Sequence, residues 1–271
     1  MSEKLANKVV LITGASSGFG ADAAQLFAKE GCSVILAARR MDRLNALAEQ
    51  IQAEGHKAFV VSLDVTEQSQ IEETIQGVLD KFGRIDILFN NAGFGRLDWL
   101  ECLDPAVDID LQIDVNLRGL IQVTRVVLPS MLERGNGTII NMSSVSGLIA
   151  APMYSIYAAT KYGVRGFNDA LRREVAPLGV HVCGIYPGPA VTEFSQHTGN
   201  DNVIKKNIKA PGWIYMTSEY VARRTVDLAK HPRRSLILPW WFRPILAFDM
   251  FFPGLVDWFL KVTVVKRLHK L

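Results

Sequence analysis

Residues 9 to 20 read Val9-Val10-Leu11-Ile12-Thr13-Gly14-Ala15-Ser16-Ser17-Gly18-Phe19-Gly20 and pass directly into a run of helical character, residues 21–29. The apolar, β-branched stretch 9–13 has the length and composition of a buried strand, and the glycines after it mark a tight turn. Strand, glycine turn and helix in that order open a βαβ unit. The helix N-terminus of such a unit presents backbone N–H groups and the positive end of the helix dipole. Glycines let a pyrophosphate approach the main chain with no Cβ in the way. A turn that holds no ligand has the same composition. Position between the first strand and the first helix is what turns the reading toward a phosphate.

Outward from this turn, short β-branched runs alternate with longer segments of helical period. The runs lie at 9–13, 34–38, 59–63, 85–89, 138–142, 180–185 and 236–238. Between them apolar residues recur at spacings of three and four, as in Leu44, Leu47, Ala48 and Ile51, or Ile71, Ile75, Val78 and Leu79. This alternation predicts an α/β fold, a doubly wound parallel sheet of seven strands with helices on both faces. No linker, charge block or repeat interrupts it, so 1–239 reads as one domain and 240–271 as a C-terminal amphipathic tail.

The 271 residues are 49% hydrophobic and 21% charged, a composition that folds rather than stays disordered. Thirty basic and 27 acidic residues leave a formal charge of +3, too weak a field to mark a nucleic-acid binder. Cys32, Cys102 and Cys183 form no Cys-x-x-Cys spacing, which argues against a disulfide framework or a zinc site and fits a reducing compartment. The first apolar run is too short for a signal-peptide core, and the expectation is a cytoplasmic protein. The Asn-x-Ser/Thr matches at Asn136 and Asn141 read as accidental, Asn141 falling inside a strand pattern.

The second strand ends Ala37-Ala38-Arg39-Arg40. An acid there would bind the ribose 2′-hydroxyl of NAD, whereas positive charge suits the 2′-phosphate of NADP. The Arg39 guanidinium can pair with phosphate through two donors and Arg40 adds field strength, so NADP(H) is expected over NAD(H). A solvated helix cap is the alternative. Further along, Tyr157-Ala158-Ala159-Thr160-Lys161 is the chain's only Tyr-x-x-x-Lys. Four residues apart on a helix, the two side chains share a face. A nearby ammonium favours the phenolate, and the expectation is a phenol pKa brought down from about 10 toward physiological pH. Tyr157 would then give a proton to a carbonyl oxygen, or take one from a hydroxyl. Taken alone the pair is equally an exposed helix pair. Residues 139–147, Ile-Ile-Asn-Met-Ser-Ser-Val-Ser-Gly, carry a buried strand into small polar residues, where a serine can meet a developing oxyanion.

The Gly-x-x-x-Gly-x-Gly spacing of Gly14, Gly18 and Gly20, with Tyr157 and Lys161, resembles the short-chain dehydrogenase/reductase superfamily, whose fold is of Rossmann type. The resemblance runs through residue 239 and implies a catalytic tetrad of Asn116, Ser144, Tyr157 and Lys161. Ser144 is chosen over Ser143 by its spacing to the tyrosine. Asn116, in Asp114-Val115-Asn116-Leu117-Arg118-Gly119, would hold a water beside Lys161. The same resemblance implies cofactor contacts from Gly14, Ser16, Ser17, Gly18, Phe19 and Gly20, and from Arg39 and Arg40. It adds Asp64 and Val65 at the adenine, and Asn91, Ala92 and Gly93 beside the ribose. Tyr157 and Lys161 touch the cofactor too, and Pro187, Gly188, Ala190 and Thr192 lie at the nicotinamide. A homodimer or homotetramer is implied as well.

The segment 188–216, polar and turn-rich from Glu193 onward, is expected to act as a substrate lid. With Phe94, Leu148, Met153 and Tyr154 it points to a hydrophobic ketone or alcohol, and His197 is a candidate contact that reads equally as a solvated loop residue. The expected activity is an NADPH-dependent carbonyl reductase. A 3-oxoacyl thioester reductase, favoured by a basic rim of Arg96, Lys205, Lys206 and Lys209, is one alternative; a non-catalytic cofactor-binding scaffold or sensor is another. The tail concentrates aromatics and ends in Lys261, Lys266, Arg267 and Lys270, with too many interruptions to span a bilayer. Two readings stay open for it. Its helices pack on this subunit or a partner subunit, the commoner use of such helices, or they make peripheral contact with anionic lipid.

Overall fold

The computed structural model describes residues 5–193 and 212–266. Val9–Thr13 (β1) is buried at every position, and the turn after it leads into Gly18–Lys29 (α1). The alternation then continues through Ser33–Ala38 (β2), Met41–Ala53 (α2), Lys57–Ser62 (β3), Gln68–Phe82 (α3) and Ile87–Asn90 (β4). After a long helical stretch ending in Leu120–Glu133 (α4) come Gly137–Met142 (β5), Ser155–Val175 (α5) and Val180–Pro187 (β6). Ser218–Lys230 (α6) and Ser235–Leu238 (β7) complete the alternation, and Phe242–Phe251 (α7) and Pro253–Leu260 (α8) follow.

The seven strands form one sheet in the order β3-β2-β1-β4-β5-β6-β7, with every neighbouring pair parallel. Successive side chains of a strand point to opposite faces. Accordingly Val10 and Ile12 join the core under α1, α2 and α6, while Val9 and Leu11 join the one under α3, α4 and α5. The order reverses between β1 and β4, whose carboxyl ends lie level because Thr13 pairs with both Ala37 and Asn90. A crevice opens outside the strand ends at such a reversal, and it is where ligands of this architecture bind.

Most strand bounds shift by one or two residues, the third running from Lys57 to Ser62, and three further details differ from the sequence reading. The fourth strand begins at Ile87 rather than 85, because Asp86 lies outside the ladder and its carboxylate accepts the Val9 N–H at 2.8 Å. Ala190–Val191 and Met216–Thr217 pair as a separate two-stranded parallel ribbon that no period in so short a segment could announce. The helical stretch before α4 contains two π-type turns, Pro105–Asp110 and Asp114–Gly119, the second carrying Asn116.

The tail packs only loosely on this subunit: neither α7 nor α8 contains a buried residue, although half-buried Phe242 at the start of α7 meets Gly188. Both faces of the sheet are already covered by the six helices that precede them, which leaves the tail no open core to fill. Among the described residues no helix is long and apolar enough to cross a membrane.

Candidate active site

The glycine turn is shaped by contacts that exclude side chains. Gly14 has φ +66°, and a Cβ there would lie 2.8 Å from the Ala92 Cα. The hydroxyl of Thr13 accepts the N–H groups of Asn91 and Ala92, both at 3.1 Å. The Asn91 amide donates back to the carbonyls of Thr13 and Gly14, at 3.2 and 3.1 Å. Residues 91–93 are thereby strapped to the turn. No side chain caps the N-terminus of α1, since Ser17, its N-cap residue, uses its hydroxyl elsewhere. A Cβ on Gly18 would meet Thr192 at 3.6 Å, which brings the segment after β6 over the same turn.

The two arginines after β2 do different things. Arg40 donates to the Ser16 hydroxyl from Nε at 3.1 Å and from Nη2 at 2.9 Å, and to the Ser17 hydroxyl at 2.7 Å. Its Nη1 reaches Glu193 at 3.2 Å, where Arg43 also donates at 2.7 and 2.8 Å. Hydrogen bonds from Arg43 and Arg40 hold the Glu193 carboxyl below its usual range, against the opposing effect of burial. Arg39 is looser, its guanidinium 67% exposed and 3.4 Å from Asp64. For Asp64, burial works to raise the pKa, yet the bonds from Thr66 N–H and hydroxyl at 3.0 and 2.8 Å, with the Arg39 charge, bring it below the ordinary value.

Across the crevice, β5 and α5 bring the tetrad candidates together. The α5 residues that face inward include Tyr157, Ala158, Lys161 and Val164, the three-and-four spacing of one helix face. Tyr157 is buried and hydrogen-bonded to Ser144, the second residue past the end of β5. The Ser144 hydroxyl also reaches the Pro187 carbonyl at 3.4 Å and accepts the Ser146 N–H at 3.1 Å. Its neighbour Ser143 turns the other way and donates to the Lys161 carbonyl at 3.0 Å. Lys161 Nζ donates to the Met142 carbonyl at 3.1 Å and lies 5.6 Å from the Tyr157 ring centroid. Asn116 is fully buried, clamped to Phe94 through N–H···Oδ1 at 2.9 Å and Nδ2–H···O at 2.7 Å. A Cβ on Gly93 would approach Asn116 Oδ1 at 3.0 Å and Lys161 Nζ at 3.5 Å. Main chain alone therefore fits between the turn and these two side chains.

The electrostatics reverse one expectation. Burial pushes the Tyr157 phenol above its ordinary range and outweighs the Ser144 hydrogen bond, while Tyr154 raises it further. Burial also brings the Lys161 ammonium down to about 8. The expected depression of the phenol by the ammonium is thus not what the site does. Both groups lose hydration, which disfavours each charged form, and one of the ammonium's three N–H groups donates to the Met142 carbonyl.

Of the proposed substrate wall, Met153 is buried and Tyr154 meets Tyr157 edge-on at 6.3 Å between ring centroids. Arg96 is tied to Asp108 at 3.3 Å. His197, Lys205, Lys206 and Lys209, with most of the expected lid, lie outside the described residues. Sequence reasoning missed Glu193, Arg43 and Thr13, whose roles depend on partners distant along the chain. It also missed Phe242: a Cβ on Gly188 would lie 2.7 Å from its ring, so the root of the tail packs on the Pro187-Gly188 segment.

Comparison with known proteins agrees with this geometry. Residues 8–203 match the profile of the short chain dehydrogenases. A 3-oxoacyl-acyl-carrier-protein reductase of Thermotoga maritima is 40% identical over 193 residues, 71% of this chain and 78% of that one. An alcohol dehydrogenase of Thermococcus sibiricus, solved with 5-hydroxy-NADP, superposes with a TM-score of 0.75 at 29% identity, covering 85% of this chain and 95% of the other. A short chain dehydrogenase/reductase of Burkholderia phymatum, solved with NAD, gives a TM-score of 0.84 at 25% identity over 94% and 96% of the two chains. With the parallel sheet, the glycine turn and the profile in agreement, the chain belongs to the short-chain dehydrogenase family of oxidoreductases.

Proposed function

We propose that the protein is an NADP(H)-dependent carbonyl reductase, reversible as a secondary alcohol dehydrogenase, acting on a hydrophobic ketone. The observation that carries this reading is the placement of the Tyr157 phenol, buried, hydrogen-bonded to Ser144 and with Lys161 Nζ 5.6 Å from its ring centroid, where burial pushes the phenol pKa up. A protonated phenol is what a general acid requires, and Tyr157 gives its proton to the carbonyl oxygen during reduction. Ser144 donates to the same oxygen as negative charge builds on it. Lys161, whose proton is held only up to about pH 8, returns a proton to the phenol, with Asn116 orienting the relay from solvent.

A nicotinamide dinucleotide fits the crevice, since the glycine turn lies where the strand order reverses and, among the described residues, no side chain caps the α1 N-terminus that a pyrophosphate would meet. Gly14, Gly18 and Gly20 would hold the pyrophosphate, residues 91–93 the ribose, and Gly188, Ala190 and Thr192 the nicotinamide, which supplies the hydride when reduced. Arg39, exposed and, among the described residues, in one long ion pair, can turn toward a 2′-phosphate, and this supports NADP(H) over NAD(H). Met153 and Tyr154 beside the phenol support an apolar substrate.

The 40% identity to a 3-oxoacyl-acyl-carrier-protein reductase favours a second reading, a thioester reductase. NADPH consumption over a panel of ketones graded by size and polarity, with 3-oxoacyl thioesters included, separates the two. Turnover confined to thioesters selects the second reading, and no NADPH consumption with any carbonyl contradicts both.

A further inference from the structure

The tail helices, with the π-type turn Lys261–Val265 that continues α8, carry an apolar stripe that faces outward. Leu255, Trp258, Phe259 and Val262 follow the i, i+3, i+4, i+7 spacing, and Phe248 and Phe251 extend it across the break at Pro253. Each of the six is between 41% and 69% exposed. On a surface helix such a stripe normally faces a core, and an exposed apolar patch of this extent marks a surface for another phase or partner.

Charge identifies the partner. Residues 240–271 contain five basic residues, Arg243, Lys261, Lys266, Arg267 and Lys270, and two acidic ones, Asp249 and Asp257. The whole chain has 30 and 27, so residues 1–239 are balanced and the entire +3 excess sits in the tail. The two acids avoid the stripe. Asp249 is half-buried and its charge acts on the Tyr162 phenol of α5, while Asp257, two residues past Leu255, lies on the opposite side of α8. Lys261 and Lys266 are exposed at the stripe's C-terminal end. A second copy docked through this face would cover the stripe but bring it no acidic group for Lys261 and Lys266, since both acids of the tail lie off the stripe. Neither helix can cross a bilayer.

We propose that α7 and α8 dock the protein on an anionic lipid surface. The aromatic stripe enters the boundary between headgroups and acyl chains, and Lys261 and Lys266 pair with the anionic headgroups. The helix that begins the docked face, α7, starts at Phe242, which packs on Gly188, so the lipid surface adjoins one wall of the candidate active site.

Flotation of the full chain tests this, with vesicles of phosphatidylcholine alone or with about one-third phosphatidylserine. The chain floats with the mixed vesicles and not with phosphatidylcholine alone. Lys261→Gln with Lys266→Gln lowers the partition coefficient roughly 25-fold, about fivefold for each basic charge removed near the surface. Trp258→Ser with Phe259→Ser abolishes flotation. All these side chains are exposed, so an unchanged melting temperature checks that each variant folds. Failure of the parent chain to float, or equal flotation of parent and variants, overturns the proposal. So does sedimentation that shows a dimer which Trp258→Ser with Phe259→Ser dissociates, since that assigns the stripe to a second copy.

Discussion

The Ser143 hydroxyl donates to the main-chain carbonyl of Lys161 at 3.0 Å. This bond ties the end of β5 to α5 and leaves the adjacent Ser144 facing the Tyr157 phenol. The two serines therefore separate by assay. Ser144→Ala is expected to lower kcat by roughly 100-fold or more, the usual cost of one oxyanion donor. Ser143→Ala is expected to leave kcat within a few-fold and to cost about 1 kcal/mol of stability, from one buried hydrogen bond. Steady-state kinetics and denaturant unfolding of both variants check this, and the opposite pattern moves the catalytic hydroxyl to Ser143.

Arg39 and Arg40 should fail in different ways. Arg39→Ala removes a group whose ion pair among the described residues is long and exposed, so the fold is unaffected while the Kd for NADPH rises roughly 10- to 100-fold, as for a charge-assisted bond. NADH binding stays level. Arg40→Ala releases Ser16, Ser17 and Glu193 together and weakens both cofactors. Titration with NADPH and NADH distinguishes the two, and an unchanged NADPH affinity in Arg39→Ala removes the assignment of NADP(H).

The glycine turn offers a test of local strain. Gly14→Ala combines φ +66° with a Cβ placed 2.8 Å from the Ala92 Cα, and a main-chain atom cannot step aside. It is expected to destabilise by more than the roughly 1–2 kcal/mol of left-handed backbone alone and to abolish dinucleotide binding. Gly55→Ala, at φ +82° with open space around it, is the control that shows the backbone cost by itself. Equal unfolding midpoints for the two variants would show that the contact with Ala92 carries no energy.

Burial of Lys161 makes stability depend on pH with a defined sign. Its folded value of about 8 lies below the ordinary 10.5, so between these the unfolded chain binds more protons than the folded one. Stability accordingly rises with pH across that window, and the full cost of the buried ammonium is present below it. Tyr157, raised, acts only above about pH 10, where the folded state keeps a proton that the unfolded state loses and stability falls. Replacing the ammonium with an apolar side chain, Lys161→Met, is expected to raise the melting temperature more at pH 7 than at about pH 9.5. The same difference at both pH values would show that the ammonium is not desolvated.

Much of the fold was legible because both sheet faces are covered, which forces runs such as 9–13 and 138–142 to be buried at every position and mostly apolar. The glycine turn was legible for a related reason, since close approach of Ala92 leaves no alternative to glycine at 14. Pairings across long separations were not. Glu193 meets Arg40 and Arg43 from some 150 positions away, and nothing in its local sequence distinguishes it from a solvated acid. The phenol's pKa was misjudged because a four-residue spacing reports that Tyr157 and Lys161 share a face and says nothing of the hydration both lose there. The tail's composition was plain, but only the three-dimensional arrangement shows that its stripe finds no core on this subunit.

The central claim is that the buried phenol of Tyr157 delivers the proton in an NADPH-driven reduction. It is tested most directly by single-turnover oxidation of bound NADPH with a ketone substrate, comparing the parent chain with Tyr157→Phe. A fall in rate of about 100-fold or more, the scale of general acid catalysis, with NADPH affinity unchanged, is the predicted result. A phenylalanine variant that turns over within twofold of the parent would contradict it.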